Sequence, residues 1–566
     1  SALRRPRFTL TSRNRKIDAP DFATPIVPSL DAYKLARREL ATTLMSAGVT
    51  PGTYELASAK SILDQARDSF RSIIHERISK LTQAATLTFC VEQIAALMIE
   101  NANAAVRAQL SLTHEVSYDR AQAAAEIHDK FAQDSRNYRY MLEACLSMSV
   151  SSCEETPTAR ILNDLLAAID WLFILYNASD VLHNGIDVGG ITIDADYIPE
   201  VFYSQLNDEQ ETEFAREQAD ARLGINLSEP DRMLAESERL ADLERLDLAF
   251  EADVGFTFRH LLQTLEVLSC WQRAQNHEEL LLSYRSTSED IVDVLRQSIP
   301  DLTQASASAL VSFATLEANQ VRRLLGRARD EADVPVWDHN KRSSRYTIRP
   351  LVPIENDLLV WSAPSAQLAG RIWLNSVTDG YLPADFEWPA VVPIVRSIKE
   401  RLEALLENRA AEICRRGTSF VEKGIDFKSR FPSESFDDVG DFDVLAYWPA
   451  SNTWISAECK YNQPPFCLKD ARRLRERIFG RPPDRGHFSK IERRREFLNQ
   501  NRERLRRLLN WPESGAEFKI FELYVSRDIY WWMRNPPFAV STDFVRIDAL
   551  DHWLRVRMLI TEERDR

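Results

Sequence analysis

The longest regular feature of the sequence is a helical periodicity that begins at Leu56. From there to Leu110, apolar residues recur at spacings of three and four over many turns, which is the pattern of a buried helix face. A second helix is predicted in TPTARILNDLLAAIDWLFILYNASDVLHNG, which starts on Thr and ends at Gly185. No repeat of fixed period accompanies these helices. The pattern therefore predicts a helical domain and not a solenoid.

The pattern changes after about Pro393, where helix and strand signals alternate. A helix is predicted up to Gly417, and a basic helical region from Leu468 to Leu509. Strands are predicted at TSFVEKG, DFDVLAYW, TWISAECKY and FKIFELYV. The sequence thus predicts a multidomain protein, with a mainly α-helical N-terminal region and a C-terminal α/β domain in which helices flank a central mixed sheet.

With 566 residues the chain is too long for a single hydrophobic core. Four segments are expected: a basic N-terminal arm (1–30), a helical domain for sensing, assembly or scaffolding (31–330), a small β-containing connector (331–389) and the C-terminal α/β domain (390–566). A short hairpin near Ile186 is predicted to interrupt the helices, and two strands around a polar turn are predicted after Arg345.

Composition narrows the class of protein. The hydrophobic fraction of 44% and the charged fraction of 28% are typical of a globular chain. The longest uninterrupted apolar run, Trp171 to Tyr176, is too short for a bilayer span, so no membrane partner is expected. Seven cysteines without a CxxC pair indicate reduced thiols and a cytoplasmic location. Because no phosphate-binding loop occurs, an ATP-driven step would need a partner ATPase.

Charge is unevenly distributed along the chain. Residues 208–253 hold 15 acidic side chains against 5 arginines, while residues 460–510 hold 16 basic side chains against 6 acidic ones. The second segment is therefore strongly basic although the whole chain carries −14. A local basic block suits a nucleic-acid partner. The candidate contacts are Arg472, Arg473, Arg475, Arg485, Lys490 and Arg494.

Acidic residues and a lysine lie at the ends of two adjacent predicted strands. In TWISAECKY, alternation places Glu458 and Lys460 on one face. If this strand pairs antiparallel with DVLAYW, Asp443 comes close to Glu458 and forms a two-carboxylate site. A cation held there would neutralise a phosphodiester and activate a water, while the lysine would stabilise developing charge.

This arrangement resembles the PD-(D/E)XK nuclease superfamily, whose members share the restriction-endonuclease-like fold. Asp443 is similar to the first acid of the motif, Glu458 to the second and Lys460 to the lysine, although Phe442 stands where the motif has Pro. The resemblance covers residues of about 390 to 560 only, and no family is recognised for the helical half.

The resemblance implies further site residues and a cofactor. It implies Mg²⁺, with Mn²⁺ as a substitute, and a metal ligand in the main-chain carbonyl of Cys459. It also implies a glutamate on the helix before the first strand, for which Glu407 is the candidate, with Glu403 and Glu412 as competitors. Products with 5′-phosphate and 3′-hydroxyl ends would follow.

Two other stretches fit the short acid-x-lysine pattern. Asp426-Phe-Lys428 has no preceding hairpin that brings in another acid, and in Glu517-Phe-Lys519 the apolar run follows the lysine. The set around Glu458 is favoured because it combines the hairpin, the upstream helix and the downstream basic helices. The remaining alternative is an ordinary surface hairpin with a Glu–Lys pair.

The function predicted is that of a metal-dependent endonuclease, with DNA favoured over RNA. By analogy, such a domain joined to a helical region suits a bacterial antiviral-defence or restriction effector, and a homo-oligomer is considered. Two alternatives stay open. One is a catalytically silent nucleic-acid-binding or scaffold protein, and the other is a structure-specific resolvase or repair nuclease.

Overall fold

The computed structural model describes most of the chain. The described residues are 9–12, 15–18, 25–111, 120–148, 155–203, 236–271, 281–321, 336–355, 357–463, 465, 467–481 and 484–564. Most of the expected basic arm and residues 208–235 of the acidic segment lie outside these ranges.

Five long helices make up most of the N-terminal region. In the second of them, the buried positions Ala59, Leu63, Ala66, Phe70 and Ile74 follow the predicted three-and-four spacing. The periodic stretch is divided in two at residues 80–82, where the chain turns. The five helices are α1 (Leu30–Ser46), α2 (Leu56–Ser79), α3 (Gln83–Ser111), α4 (Arg120–Ser147) and α5 (Ala159–Asn184).

Short antiparallel strands accompany these helices. The predicted hairpin near Ile186 is confirmed, and an earlier strand pairs with its first strand to give three strands. The strands are β1 (Thr9–Ser12), β2 (Arg15–Asp18), β3 (Gly52–Glu55), β4 (Val188–Ile193) and β5 (Pro199–Tyr203).

The middle of the chain combines helices with a small antiparallel sheet. The two strands predicted after Arg345 are present, and a strand from before residue 330 pairs with the second of them. These elements are α6 (Glu236–Val254), α7 (Phe258–Ser269), β6 (Tyr284–Thr287), α8 (Ser288–Ser298), α9 (Gln304–Ala314), β7 (Val352–Pro353), β8 (Leu358–Trp361) and α10 (Ala363–Thr378).

The C-terminal region contains a five-stranded mixed sheet flanked by helices, which confirms the coarse fold predicted. Its elements are α11 (Val391–Arg415), β9 (Phe420–Ile425), α12 (Phe427–Arg430), β10 (Phe442–Trp448), β11 (Thr453–Lys460), α13 (Leu468–Phe479), α14 (His487–Leu508), β12 (Lys519–Ser526), α15 (Trp531–Arg534), β13 (Thr542–Arg546) and α16 (Leu550–Arg564).

The strand order in this sheet is β13-β12-β11-β10-β9. Strands β9, β10 and β11 form an antiparallel meander, whereas β11, β12 and β13 run parallel. The fifth strand, β13, was not predicted from the sequence. The parallel half places the carboxyl ends of three strands at one edge, and this edge holds Lys460.

Two large hydrophobic clusters fill the described part of the protein. One contains buried residues from α1 to α5, together with β8. The other begins at Leu246 in α6 and continues through α7–α11 into the sheet, as far as Leu554. Helices α6–α9 and the C-terminal sheet thus share one continuous hydrophobic cluster, while the segment boundaries at 330 and 389 stay predictions.

Within the described residues, one helix is long and apolar enough to cross a membrane by length and composition. It is α5, and 72% of its most apolar window is buried inside the protein. A buried core helix passes the same test, so this feature is weak evidence for a membrane span.

Candidate functional site

The hairpin formed by β10 and β11 brings the two acids and the lysine together. Val444 pairs with Ala457, so the next positions along the hairpin, Asp443 and Glu458, face each other across the two strands. The backbone N–H of Cys459 donates a hydrogen bond of 2.7 Å to Oδ2 of Asp443. The antiparallel pairing assumed from the sequence is therefore present, and it fixes the aspartate.

Lys460 lies between the two carboxylates. Its Nζ is 2.9 Å from Oδ2 of Asp443 and 2.8 Å from Oε1 of Glu458. Only 4% of Asp443 and 7% of Glu458 are exposed, while the lysine side chain keeps 30% of its surface exposed. The ammonium group thus pairs with two buried carboxylates, and part of the lysine side chain remains exposed.

A third charged group, Arg494 from α14, completes this arrangement. Its Nη1 hydrogen-bonds Oε2 of Glu458, its Nε donates to the carbonyl of Val439 at 3.4 Å, and its guanidinium lies 5.8 Å from the ring centre of Phe442. Arg494 was predicted to contact nucleic acid, but its side chain is buried. Both oxygens of Glu458 are therefore paired with cations.

The surroundings shift the pKa values of Asp443 and Glu458 in opposite directions. Burial raises the pKa of Asp443, and the neighbouring charge of Glu458 raises that pKa further, which outweighs the contribution of Lys460. Burial alone would raise the pKa of Glu458 as well, but Lys460 and Arg494 together lower it. Burial would lower the pKa of Lys460, but the charges of Glu458 and Asp443 raise it by more. Asp443 is consequently the first of the pair to take up a proton.

Glu407 on α11 is a further carboxylate beside this group. Burial raises its pKa and the charge of Asp443 raises it again, so the two side chains are close enough to repel each other. No hydrogen bond or ion pair to Glu407 occurs within the described residues. Of the two competitors, Glu403 lies 3.8 Å from Lys399, and Glu412 is exposed.

The donor set suits a hard cation in its chemistry. Carboxylate oxygens are the ligands that Mg²⁺ prefers, and both hydrogen bonds to Asp443 end on Oδ2, so its Oδ1 has no protein partner among the described residues. However, the same residues include no group of three His, Cys, Asp or Glu side chains that could hold a metal. A cation would therefore need a main-chain or water ligand besides the two acids.

Three uncharged or weakly basic side chains lie next to these acids. Nδ2 of Asn462 is 3.4 Å from the hydroxyl of Tyr524, whose ring stacks against His487 with 6.4 Å between ring centres. Burial lowers the pKa of His487, with Glu458 acting in the opposite direction. Its Nδ1 is buried without a hydrogen-bond partner in the described part of the chain. The sequence assigned no role to His487.

Of the six arginines and lysines predicted to contact nucleic acid, one is buried and two are half-buried. Arg494 pairs with Glu458, as above. Arg472 donates a 2.7 Å hydrogen bond to the carbonyl of His183, near the end of α5. Burial lowers the pKa of Arg475, and the charges of Asp187 and Glu476 act in the opposite direction.

The other three residues of that set lie at the surface. Lys490 is exposed, and half of the Arg473 side chain is exposed. Arg485 is held 2.5 Å from Glu492 and lies 4.9 Å from the ring centre of Phe538. For Arg494, the sequence signal that could have indicated burial is helical phase. Arg494 falls three residues after Ile491 and four before Leu498, both buried.

The two competing acid-x-lysine stretches have different surroundings. Asp426 caps α12, where its Oδ1 accepts a 3.0 Å hydrogen bond from the backbone N–H of Lys428. Glu517 is exposed before β12, and Lys519 pairs with Thr453 at the opposite end of the sheet from Lys460. Neither stretch contributes to the cluster of Asp443, Glu458 and Lys460.

Comparisons with known proteins return no match. No family model, no curated protein and no solved structure is similar to this chain.

Proposed function

We propose that the protein is a metal-dependent nuclease that hydrolyses phosphodiester bonds at the end of the β10–β11 hairpin, with DNA preferred over RNA. The observation that supports this most strongly is the position of Lys460, within 3 Å of Asp443 and of Glu458 on a partly exposed edge of the sheet. A phosphodiester is anionic, so a site for its hydrolysis needs both a cation and a fixed hydrogen-bond donor near the phosphate.

Asp443 and Glu458 would hold Mg²⁺ or Mn²⁺, with the main-chain carbonyl of Cys459 as the further ligand that the resemblance implies. Glu407 is the additional catalytic carboxylate that the same resemblance implies. When bound, the ion lowers the pKa of a water and neutralises charge on the phosphate. The free Oδ1 of Asp443 is compatible with this role.

The protein's own residues orient the metal-binding carboxylate and stabilise negative charge on the phosphate. Arg494 and Lys460 hold Glu458 from its two oxygens, which fixes the orientation of the carboxylate. Lys460 keeps its proton because two acids raise its pKa, so its ammonium can stabilise negative charge on a phosphate oxygen. The exposed Lys490 and Arg473 lie on the two helices beside this edge and can contact neighbouring phosphates.

The test is cleavage of plasmid, linear DNA and RNA by the purified protein in Mg²⁺, Mn²⁺ or EDTA. We expect cleavage of DNA with either metal, none in EDTA, and none by Asp443→Ala. Cleavage that persists in EDTA or in Asp443→Ala would contradict the proposal. Folding of the variant is checked by its circular dichroism spectrum and its unfolding midpoint.

A second candidate is a nucleic-acid-binding scaffold that does not cut. The observation in its favour is that both oxygens of Glu458 already pair with cations in the described structure. Binding of DNA without cleavage in any metal, by a protein whose Asp443→Ala variant binds equally well, would favour the scaffold.

The resolvase hypothesis, a role in antiviral defence, a partner ATPase, a homo-oligomer and a cytoplasmic location stay predictions from the sequence.

A further inference from the structure

A cavity of about 340 Å³ lies beside the proposed nuclease site, between helix α14 and strands β12 and β13. Its lining includes two acids, one arginine and two hydroxyl groups among apolar side chains. The residues used below are Phe488, Ile491, Glu492, Arg495, Glu522 and Ser541. We call this cavity the Glu522 pocket.

Glu522 forms the floor of the pocket, with 5% of its surface exposed. Its Oε2 is 3.2 Å from Nη1 of Arg495, accepts a 2.8 Å hydrogen bond from the hydroxyl of Ser541 and lies 3.4 Å from that of Thr542. Its Oε1 is buried and has no hydrogen-bond partner within the described residues. Buried acceptors are nearly always paired, so this oxygen lacks a donor that a ligand could supply.

The mouth of the pocket is open. Ser541 is exposed, and the side chains of Arg495 and Glu492 keep about a third of their surface. Phe488 and Ile491 are buried and form an apolar wall. A flat ligand can therefore enter with its edge toward Glu522 and its face against apolar side chains.

The position of the pocket relates it to the catalytic lysine. Tyr524 pairs with Glu458 across the parallel strands, and Glu522 is two residues earlier, so Glu522 and Glu458 lie on the same face of the sheet. With strands about 4.8 Å apart and a rise of about 3.3 Å per residue, their backbones are roughly 8 Å apart. The pocket therefore lies close to the proposed cleavage site on the same face of the sheet.

The chemistry of the pocket excludes a phosphate and favours a base. Two carboxylates, Glu522 and Glu492, repel an anion, and Arg495 is already engaged with Glu522. A nucleobase offers ring and amino N–H donors to a carboxylate, carbonyl acceptors to an arginine, and an apolar face.

We propose that the Glu522 pocket binds one unpaired nucleobase of the substrate by its hydrogen-bonding edge, with Oε1 of Glu522 accepting from the base. The proposal rests on the proposed nuclease function, to which it adds a preference for single-stranded or unpaired substrate. Guanine is expected to bind best, because its two adjacent N–H donors face the carboxylate while its O6 can accept from Arg495.

The test measures binding of the four deoxynucleoside 5′-monophosphates to the full chain in EDTA, by saturation-transfer NMR and competition. We expect the guanine nucleotide to bind about tenfold more tightly than the thymine nucleotide, and Glu522→Gln to abolish the difference. Glu496→Gln on the exposed face of α14 is the matched control and should leave the preference unchanged.

A second variant covers the case in which Glu522→Gln fails to fold. Ser541→Phe changes an exposed residue at the mouth and should weaken binding of every base by narrowing the entrance. Equal binding of the four nucleotides, a preference unchanged in Glu522→Gln, or affinities for all four nucleotides unchanged in Ser541→Phe would overturn the proposal.

The outcome is separable from that of the nuclease proposal, because no cleavage is needed for the measurement. Selective nucleotide binding by a protein that cleaves no nucleic acid would support the proposal for the pocket and contradict the proposed nuclease function. Metal-dependent cleavage by a protein that binds the four nucleotides equally would support the nuclease function and contradict the proposal for the pocket.

Discussion

Two Glu-x-Lys triplets lie on neighbouring parallel strands of one sheet. Glu458-Cys459-Lys460 ends β11, and its glutamate is buried between Lys460 and Arg494. Glu517-Phe518-Lys519 precedes and begins β12, and its glutamate is exposed. The triplets match in residue type, but only the first lies opposite an aspartate across a hairpin. The difference shows that position along the strand, and not the motif, gathers charges into a site.

The largest difference expected between the two triplets is in the rate of cleavage after loss of the lysine. Lys460→Ala should lower the rate of DNA hydrolysis by about 100-fold or more, because it removes the cation between two carboxylates. Lys519→Ala should change the rate less than about twofold. Initial rates on a linear substrate in Mg²⁺ provide the measurement. Equal losses in the two variants would show that the hairpin confers no special role.

The next largest difference is in stability. It tests Arg494, which pairs with Glu458 in the first triplet and has no counterpart beside Glu517 among the described residues. Arg494→Met should lower the free energy of unfolding by about 3 kcal/mol, since one oxygen of Glu458 is left buried without its partner. Arg493→Met, at the exposed neighbouring position, should cost less than about 0.5 kcal/mol. Denaturant unfolding of both variants gives the comparison. A loss below about 1 kcal/mol for Arg494→Met would mean that solvent readily replaces the arginine.

The smallest effect is a pH dependence of opposite sign for the two acids of the site. Glu458 has a lowered pKa, so its stabilisation is present above the ordinary glutamate pKa and disappears as the pH falls through the lowered value. Asp443 has a raised pKa, so its ionisation destabilises the fold as the pH rises through that value.

We therefore expect Glu458→Gln to be less stable than the wild type at pH 7, with the difference shrinking under acidic conditions. Asp443→Asn should be at least as stable as the wild type at pH 7, and the two should converge at low pH. Unfolding midpoints in EDTA between pH 4 and pH 7 give both curves. Curves of the same sign for the two variants would show that the two acids share one environment.

Much of the site follows from local pattern. Alternation along β11 places Glu458 and Lys460 on one face, and the turn after Trp448 makes pairing with β10 the simplest arrangement. The helix that carries Glu407 was predicted from its periodicity and its end near Gly417. These features need only neighbouring residues, so the sequence was sufficient for them.

Other features depend on contacts between distant parts of the chain. The pairing of Arg494 with Glu458 joins residues 36 positions apart, and the hydrogen bond from Arg472 to His183 joins residues 289 positions apart. The net charge of a basic run is the same whether its members face solvent or the interior. The arginines predicted to contact nucleic acid could not be divided into buried and exposed ones from charge alone.

The sequence by itself determined the kinds of elements and the identity of the acids and lysine at the end of one hairpin, because side-chain alternation and helix periodicity are local properties of the backbone. Only the tertiary structure decided that Arg494 is buried against Glu458 and that Glu522 forms the floor of a cavity. Both outcomes depend on how α14 packs across the sheet, and that packing is set by the burial of apolar surface summed over many residues.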